Sequence, residues 1–110
     1  MLKKRLYSHY CQDAAQLFSQ LIQSARKEKK MSTAELAQRA GISRRTLHKI
    51  EHASLTCELG LVFEVAMIVG VTLFELNPEQ LSREVEQMHY KLTLLPARVR
   101  SKERTFDDNF

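Results

Sequence analysis

This sequence of 110 residues has few cysteines and no long apolar run, and these absences exclude several classes of protein. Its two cysteines, Cys11 and Cys57, are too few for the disulfide framework of a small secreted domain, so we expect two reduced thiols. No apolar run is long enough to cross a bilayer. The N-terminus is basic but lacks the apolar core of a signal peptide, and we therefore expect a cytoplasmic protein.

Patterns that bind cofactors or perform catalysis are also missing. No Gly-rich phosphate loop, internal repeat or low-complexity stretch occurs, and the four histidines have no partners for a catalytic triad. The spacing of His48, His52 and Cys57 matches no zinc-binding pattern. The sequence therefore predicts a protein that is not an enzyme and that uses neither a metal nor a cofactor.

The net charge of +4 is unevenly distributed along the chain. Residues 1–56 contain eleven Lys or Arg and four Asp or Glu, whereas residues 57–110 contain six and nine. A basic N-terminal half suggests a polyanionic partner on that side of the molecule, although an ordinary solvated surface would give the same count.

Hydrophobic periodicity and helix-capping residues predict an all-α chain with four segments. Residues 1–12 are expected to form a basic arm, and residues 13–76 a helical domain whose first helix runs from Asp13 to about Lys30. A helix over 58–69 is apolar nearly all round, which predicts burial on most of its sides. Residues 77–95 form a further helix that begins at Asn77 and Pro78, and 96–110 an extended tail.

The centre of the helical domain carries the pattern of a helix-turn-helix over residues 32–52. Ala37 is small enough for two helices to cross closely, Gly41 suits the sharp turn, and Leu47 anchors the second helix. Ser32 and Ser43 are expected to cap the two helices, Ser32 in a capping box with Glu35. Because caps, turn and inward positions agree, the pattern is specific.

The second helix of this motif has the residues that DNA recognition requires. Arg44 and Arg45 lie in its first turn, where the helix dipole disfavours cations, and both can donate to guanine O6 and N7. Lys49 lies on the same face as Arg45. Ser32 and Thr33 begin the preceding helix, whose free N–H groups are natural phosphate ligands. We therefore favour direct readout of DNA over a solvated charged face.

Apolar residues recur at heptad spacing along one face of the last predicted helix and form an apolar stripe. Its members are separated by four, three, four and three residues: Leu81, Val85, Met88, Leu92 and Leu95. Such a stripe docks on a partner helix or packs on its own domain, and two heptads do not distinguish the two.

The stretch SARKEKKMSTAELAQRAGISRRTLHKIEHAS, followed by VAMIVGVTLFEL, resembles the lambda-repressor-like, XRE-type helix-turn-helix family. The resemblance implies an all-α fold, a compact five-helix lambda-repressor-like DNA-binding domain, here with a C-terminal helix and an extended tail. It implies a homodimer on a palindromic double-stranded operator. The implied base contacts are Ser43, Arg44, Arg45, Thr46 and Lys49, and the implied backbone contacts are Ser32, Thr33 and His52.

The C-terminal stretch LTLLPARVRSKERTFDDNF resembles the tails of HipB-type antitoxins. This resemblance implies an antitoxin that represses its own operon and holds a HipA-like kinase toxin. The implied toxin contacts are Phe106, Asp107, Asp108 and Phe110. Two alternatives remain: a stand-alone XRE-type repressor of phage or restriction-control type, and a protein-interaction adaptor that does not bind DNA.

Overall fold

The computed structural model describes residues 5–99, and this part of the chain is all-helical. Its elements are α1 (His9–Glu28), α2 (Thr33–Ala40), α3 (Arg44–Glu51), α4 (Leu59–Val69), a 3-10 turn (Leu73–Glu75) and α5 (Pro78–Leu94). The chain divides into two compact units between Glu75 and Leu76. None of the described helices combines the length and the apolar character that crossing a membrane requires.

The first helix begins earlier than the sequence pattern predicts. The hydroxyl of Ser8 accepts a hydrogen bond from the backbone N–H of Cys11 and caps the helix, so that α1 begins at His9 and not at Asp13. The side chain of Gln12 donates to the carbonyl of Tyr7 and holds the entering chain. The last residues of the expected basic arm over 1–12 therefore belong to α1.

The first unit is built around one apolar core. α1, α2, α3 and α4 all contribute to it, and its nine buried apolar residues are Ile22, Met31, Leu36, Ala37, Leu47, Ile50, Val65, Ala66 and Val69. Leu36 and Leu47 are completely buried and come from the two helices of the predicted motif. Burial of a leucine side chain stabilises the fold by about 1.5–3 kcal/mol, so the core fixes both helices.

Polar contacts attach the C-terminal end of α3 to α1. Arg26 Nε donates to Glu51 Oε2 at 2.7 Å and Arg26 Nη2 to Glu51 Oε1 at 3.1 Å, and both side chains are buried. Arg26 Nη1 donates to the carbonyl of Met31 at 2.9 Å. The hydroxyl of Ser19 donates to the carbonyl of Ile50 at 2.6 Å and accepts from Ala53 N–H. The orientation of α3 is therefore set by directional contacts as well as by the core.

The fourth helix is less enclosed than its composition predicts. Val65, Ala66 and Val69 are buried, but Leu59 and Met67 are 67% and 61% exposed. The expectation of burial on most sides was wrong, because the unit is too small to surround a helix. Residues 70–75 follow as Gly70 in the left-handed conformation and a single 3-10 turn, which is the fifth helical element of the first unit.

The second unit contains α5. Asn77 and Gln80 form a capping box, in which each side chain bonds the backbone of the other, and Pro78 occupies the first helical position. No residue of α5 is buried. In the apolar stripe Val85, Met88, Leu92 and Leu95 are 50–62% exposed.

Candidate nucleic-acid interface

The turn between α2 and α3 has the geometry that the sequence predicts. Gly41 ends α2 with φ 70°, and its N–H and that of Ile42 bond the carbonyls of Gln38 and Ala37. A residue with a Cβ is disfavoured at this φ. Ala37 in α2 and Leu47 in α3 are both buried in the core that the two helices share. The motif thus holds α3 rigidly on α2.

The N-terminal end of α2 is exposed and capped. The hydroxyl of Ser32 accepts from the backbone N–H of Glu35 at 3.0 Å, and Thr33 is the first helical residue. The expected return contact of a capping box is not made. The carboxylate of Glu35 accepts instead from Arg39 Nη2 at 2.9 Å, because an arginine one turn later offers it a charged donor.

The N-terminal end of α3 is capped in the same way. The hydroxyl of Ser43 accepts from the N–H of Thr46 at 3.0 Å and donates to the hydroxyl oxygen of Thr46, also at 3.0 Å. Ser43 is exposed and Thr46 is half-buried. The two hydroxyl groups therefore satisfy one another and the helix terminus, and a base contact from either would compete with the cap.

Three cations project from the exposed side of α3. Arg44 and Arg45 are its first two residues, Lys49 follows one turn after Arg45, and all three are exposed. The first turn contains no acidic residue. Within residues 5–99, none of the three cations forms an ion pair. Because the exposed face lies opposite the buried Leu47 and Ile50, the charges point away from the core.

Residues of α2 and α3 line a common concave surface, which encloses a volume of about 330 Å³. Its lining is Thr33, Arg44, Arg45, His48, Glu51 and His52. Thr33, Arg44, Arg45 and His52 were predicted as DNA contacts from the sequence, whereas His48 and Glu51 were not. The negative charge of Glu51 is already paired with Arg26, so the free charge at this surface is positive.

His48 and His52 form a stacked pair along α3. Their ring centroids are 3.9 Å apart, and His52 Nδ1 is hydrogen-bonded to the carbonyl oxygen of His48 at 2.7 Å. His52 was among the DNA contacts predicted from the sequence, but His48 was not. The position of His48, one turn after Arg44 on the same helix, is the signal that could have identified it. The contact holds His52 against the helix end.

The other predicted residues belong to other segments of the chain. The five stripe residues belong to the second unit, four of them within α5 and Leu95 as its C-terminal cap. The expected toxin contacts Phe106, Asp107, Asp108 and Phe110 lie outside the described residues. Cys11 and Cys57 are half-buried free thiols, as predicted.

This arrangement defines a helix-turn-helix protein, with a capped helix whose cationic N-terminal end is free to meet a polyanion. A family model described as helix-turn-helix matches residues 22–76, which is half of the chain. The chain belongs to this XRE-type, lambda-repressor-like family of DNA-binding transcription regulators. No curated protein and no solved structure gives a significant match to the chain.

Proposed function

We propose that the protein is a sequence-specific transcriptional repressor that reads operator bases with the N-terminal half of α3. The observation that carries the proposal is the exposure of Arg44, Arg45 and Lys49 in a rigid, capped helix. Two arginines in a first turn without an acid each cost a few tenths to about 1 kcal/mol in the free protein. A major groove offers guanine O6 and N7 to the same guanidinium groups, so binding recovers that cost.

The proposed phosphate contacts are Ser32, Thr33 and His52. Support comes from the exposed N-terminal end of α2, where Ser32 and Thr33 lie, and from the surface that Thr33 and His52 share with Arg44 and Arg45. Free N–H groups at a helix N-terminus bind phosphate oxygens well. Such contacts would fix the register of α3 on the duplex, while the arginines read bases. Ser43 and Thr46 are the remaining proposed base contacts, although each would then exchange part of its capping hydrogen bond for a bond to DNA.

A homodimer on a palindromic operator completes the proposed repressor. Most helix-turn-helix proteins of this kind place two recognition helices about one helical turn of DNA apart, about 34 Å. The apolar stripe of α5 supports the proposal, because its five members follow heptad spacing and no residue of α5 is buried. The chain would then repress its own operon through one symmetric site.

The proposed biological setting is a toxin–antitoxin module. The resemblance of residues 92–110 to the tails of HipB-type antitoxins supports a role as the antitoxin of a HipA-like kinase. In that role Phe106, Asp107, Asp108 and Phe110 would contact the toxin. Deletion of residues 96–110 is expected to abolish co-purification of a kinase expressed from the same operon while DNA binding persists. If the deletion changes nothing, or if no such kinase is encoded, the stand-alone repressor is the better description.

The repressor proposal is tested by alanine variants in α3. Against a DNA fragment from the upstream region of its own gene, Arg44→Ala and Arg45→Ala are each expected to weaken binding by about 1–3 kcal/mol and to relax the preference at one base pair. Lys49→Ala should weaken binding, whereas Arg83→Ala, which removes the same charge from α5, is the matched control. Fluorescence anisotropy at fixed salt gives the affinities. A protein-interaction adaptor that does not bind DNA would show no specific binding to the fragment, and none of the four substitutions would alter that result.

A further inference from the structure

Charged and polar residues flank the apolar stripe of α5 on both sides. With the stripe residues placed at the two core positions of a heptad, one flank contains Glu84 and Lys91 and the other Ser82 and His89. All four are exposed. The first flank therefore has a negative end near the start of the helix and a positive end near its finish.

Neither charge of the first flank has a partner along its own helix. The residues three and four positions from Glu84 are Gln80, Leu81, Gln87 and Met88, and those around Lys91 are Gln87, Met88, Leu94 and Leu95. Within the part of the chain that the structure describes, neither forms an ion pair. An isolated helix gains nothing from this pair, since seven residues separate its members.

We propose that α5 pairs with α5 of a second copy of this chain in antiparallel orientation. This inference rests on the homodimer of the proposed function and assigns its interface. In an antiparallel pair each flank meets the same flank of the other copy with its direction reversed. Glu84 then faces Lys91 of the second copy, and the two-fold axis produces this ion pair twice.

The antiparallel register also covers every residue of the stripe. Val85 opposes Met88 of the second copy, and Leu81 opposes Leu92. Leu95 opposes Pro78, the first residue of α5, which also falls at a core position. Ser82 and His89 meet on the second flank, where a hydroxyl and an imidazole can share a hydrogen bond. The interface is isologous, as a two-fold dimer requires.

A parallel pair would leave Lys91 without a charged partner. It would place Glu84 beside His89 of the second copy and would leave Lys91 opposite Pro96, beyond the end of the helix at Leu94. The two orientations also differ in the distance between the N-terminal ends of the two α5 helices. At about 1.5 Å per residue, antiparallel pairing sets the two Asn77 residues about 28 Å apart along the seam. Parallel pairing sets them about 10 Å apart. The two orientations are therefore also distinguishable by this distance.

Charge exchange on α5 tests the proposal in the full chain. Glu84→Lys and Lys91→Glu are each expected to weaken the dimer roughly tenfold, because each change creates two like-charge contacts across the seam. The double variant E84K/K91E restores opposite charges and should return the dissociation constant to within about threefold of the original. Glu86→Lys, on the outward face, is the matched control and should have little effect. Sedimentation equilibrium gives the constants, and circular dichroism verifies that the helix content is unchanged.

The possible outcomes separate this inference from the function on which it rests. Rescue by the double variant supports the antiparallel seam. A dimer that ignores both single reversals, or that the double variant fails to rescue, overturns the seam and leaves the homodimer intact. A dimer weakened by Glu84→Lys but not by Lys91→Glu indicates the parallel pair and also overturns it. A wild-type chain that stays monomeric at hundreds of micromolar overturns both the seam and the proposed homodimer.

Discussion

Removal of the Glu51 carboxylate leaves a buried guanidinium, that of Arg26, without the partner that attaches α3 to α1. In Glu51→Ala, Arg26 loses two hydrogen bonds of 2.7 and 3.1 Å and keeps only the one to the carbonyl of Met31. The side chains of Arg26 and Glu51 are only 11% and 3% exposed, so water does not replace the lost acceptors. Breaking such a pair from one side costs about 3–5 kcal/mol. Since Met31 remains a partner, we expect a loss of about 3 kcal/mol.

Urea unfolding followed by circular dichroism measures this loss as a lower midpoint at unchanged slope. For a unit of this size, the loss corresponds to a fall of roughly 12 °C or more in the thermal midpoint. Glu35→Ala is the control, because it breaks an exposed pair with Arg39 and should cost less than about 1 kcal/mol. If Glu51→Ala is no more destabilising than Glu35→Ala, the buried pair does not fix α3 on α1.

Two further predictions concern the termini of α2 and α3. Gly41→Ala should cost about 1 kcal/mol of unfolding free energy in the same urea assay, since φ is 70° but no atom lies within 4 Å of the added methyl group; a loss near zero would contradict a strained turn. Ser43→Ala should cost about 1 kcal/mol through loss of the cap on Thr46 N–H. It should also relax the preference at one base pair in a selection experiment, and an unchanged preference would restrict the Ser43 hydroxyl to the cap.

The central motif was predictable because its requirements are local. A serine before a helix, a glycine after one and an apolar residue at a fixed offset each act within a few residues. As predicted, Ser32 and Ser43 cap their helices, Gly41 forms the turn and Leu47 is buried. The same applies to Asn77 in the cap of α5. Local physical chemistry is what a sequence displays most directly.

The features that sequence analysis missed depend on contacts between distant residues or on competing local ones. The partnership of Arg26 and Glu51 joins positions 25 residues apart, and nothing in either neighbourhood identifies it. The capping box of Ser32 failed because Arg39 competes for the carboxylate of Glu35. The start of α1 was placed too late because the cap at Ser8 precedes a polar segment without helical periodicity. Exposure of Leu59 and Met67 reflects the size of the unit, which composition does not reveal.

Dimethyl sulfate protection tests the central claim most directly, because the reagent methylates guanine N7 in the major groove, where Arg44 and Arg45 are proposed to donate. On an operator fragment, the wild-type protein should protect specific guanines in two symmetric half-sites. Arg45→Ala should expose one guanine in each half-site while the rest of the footprint persists at higher protein concentration. Unprotected guanines beneath a complete footprint, or protection that is identical in Arg44→Ala and Arg45→Ala, would contradict the assignment of α3 as the helix that reads bases.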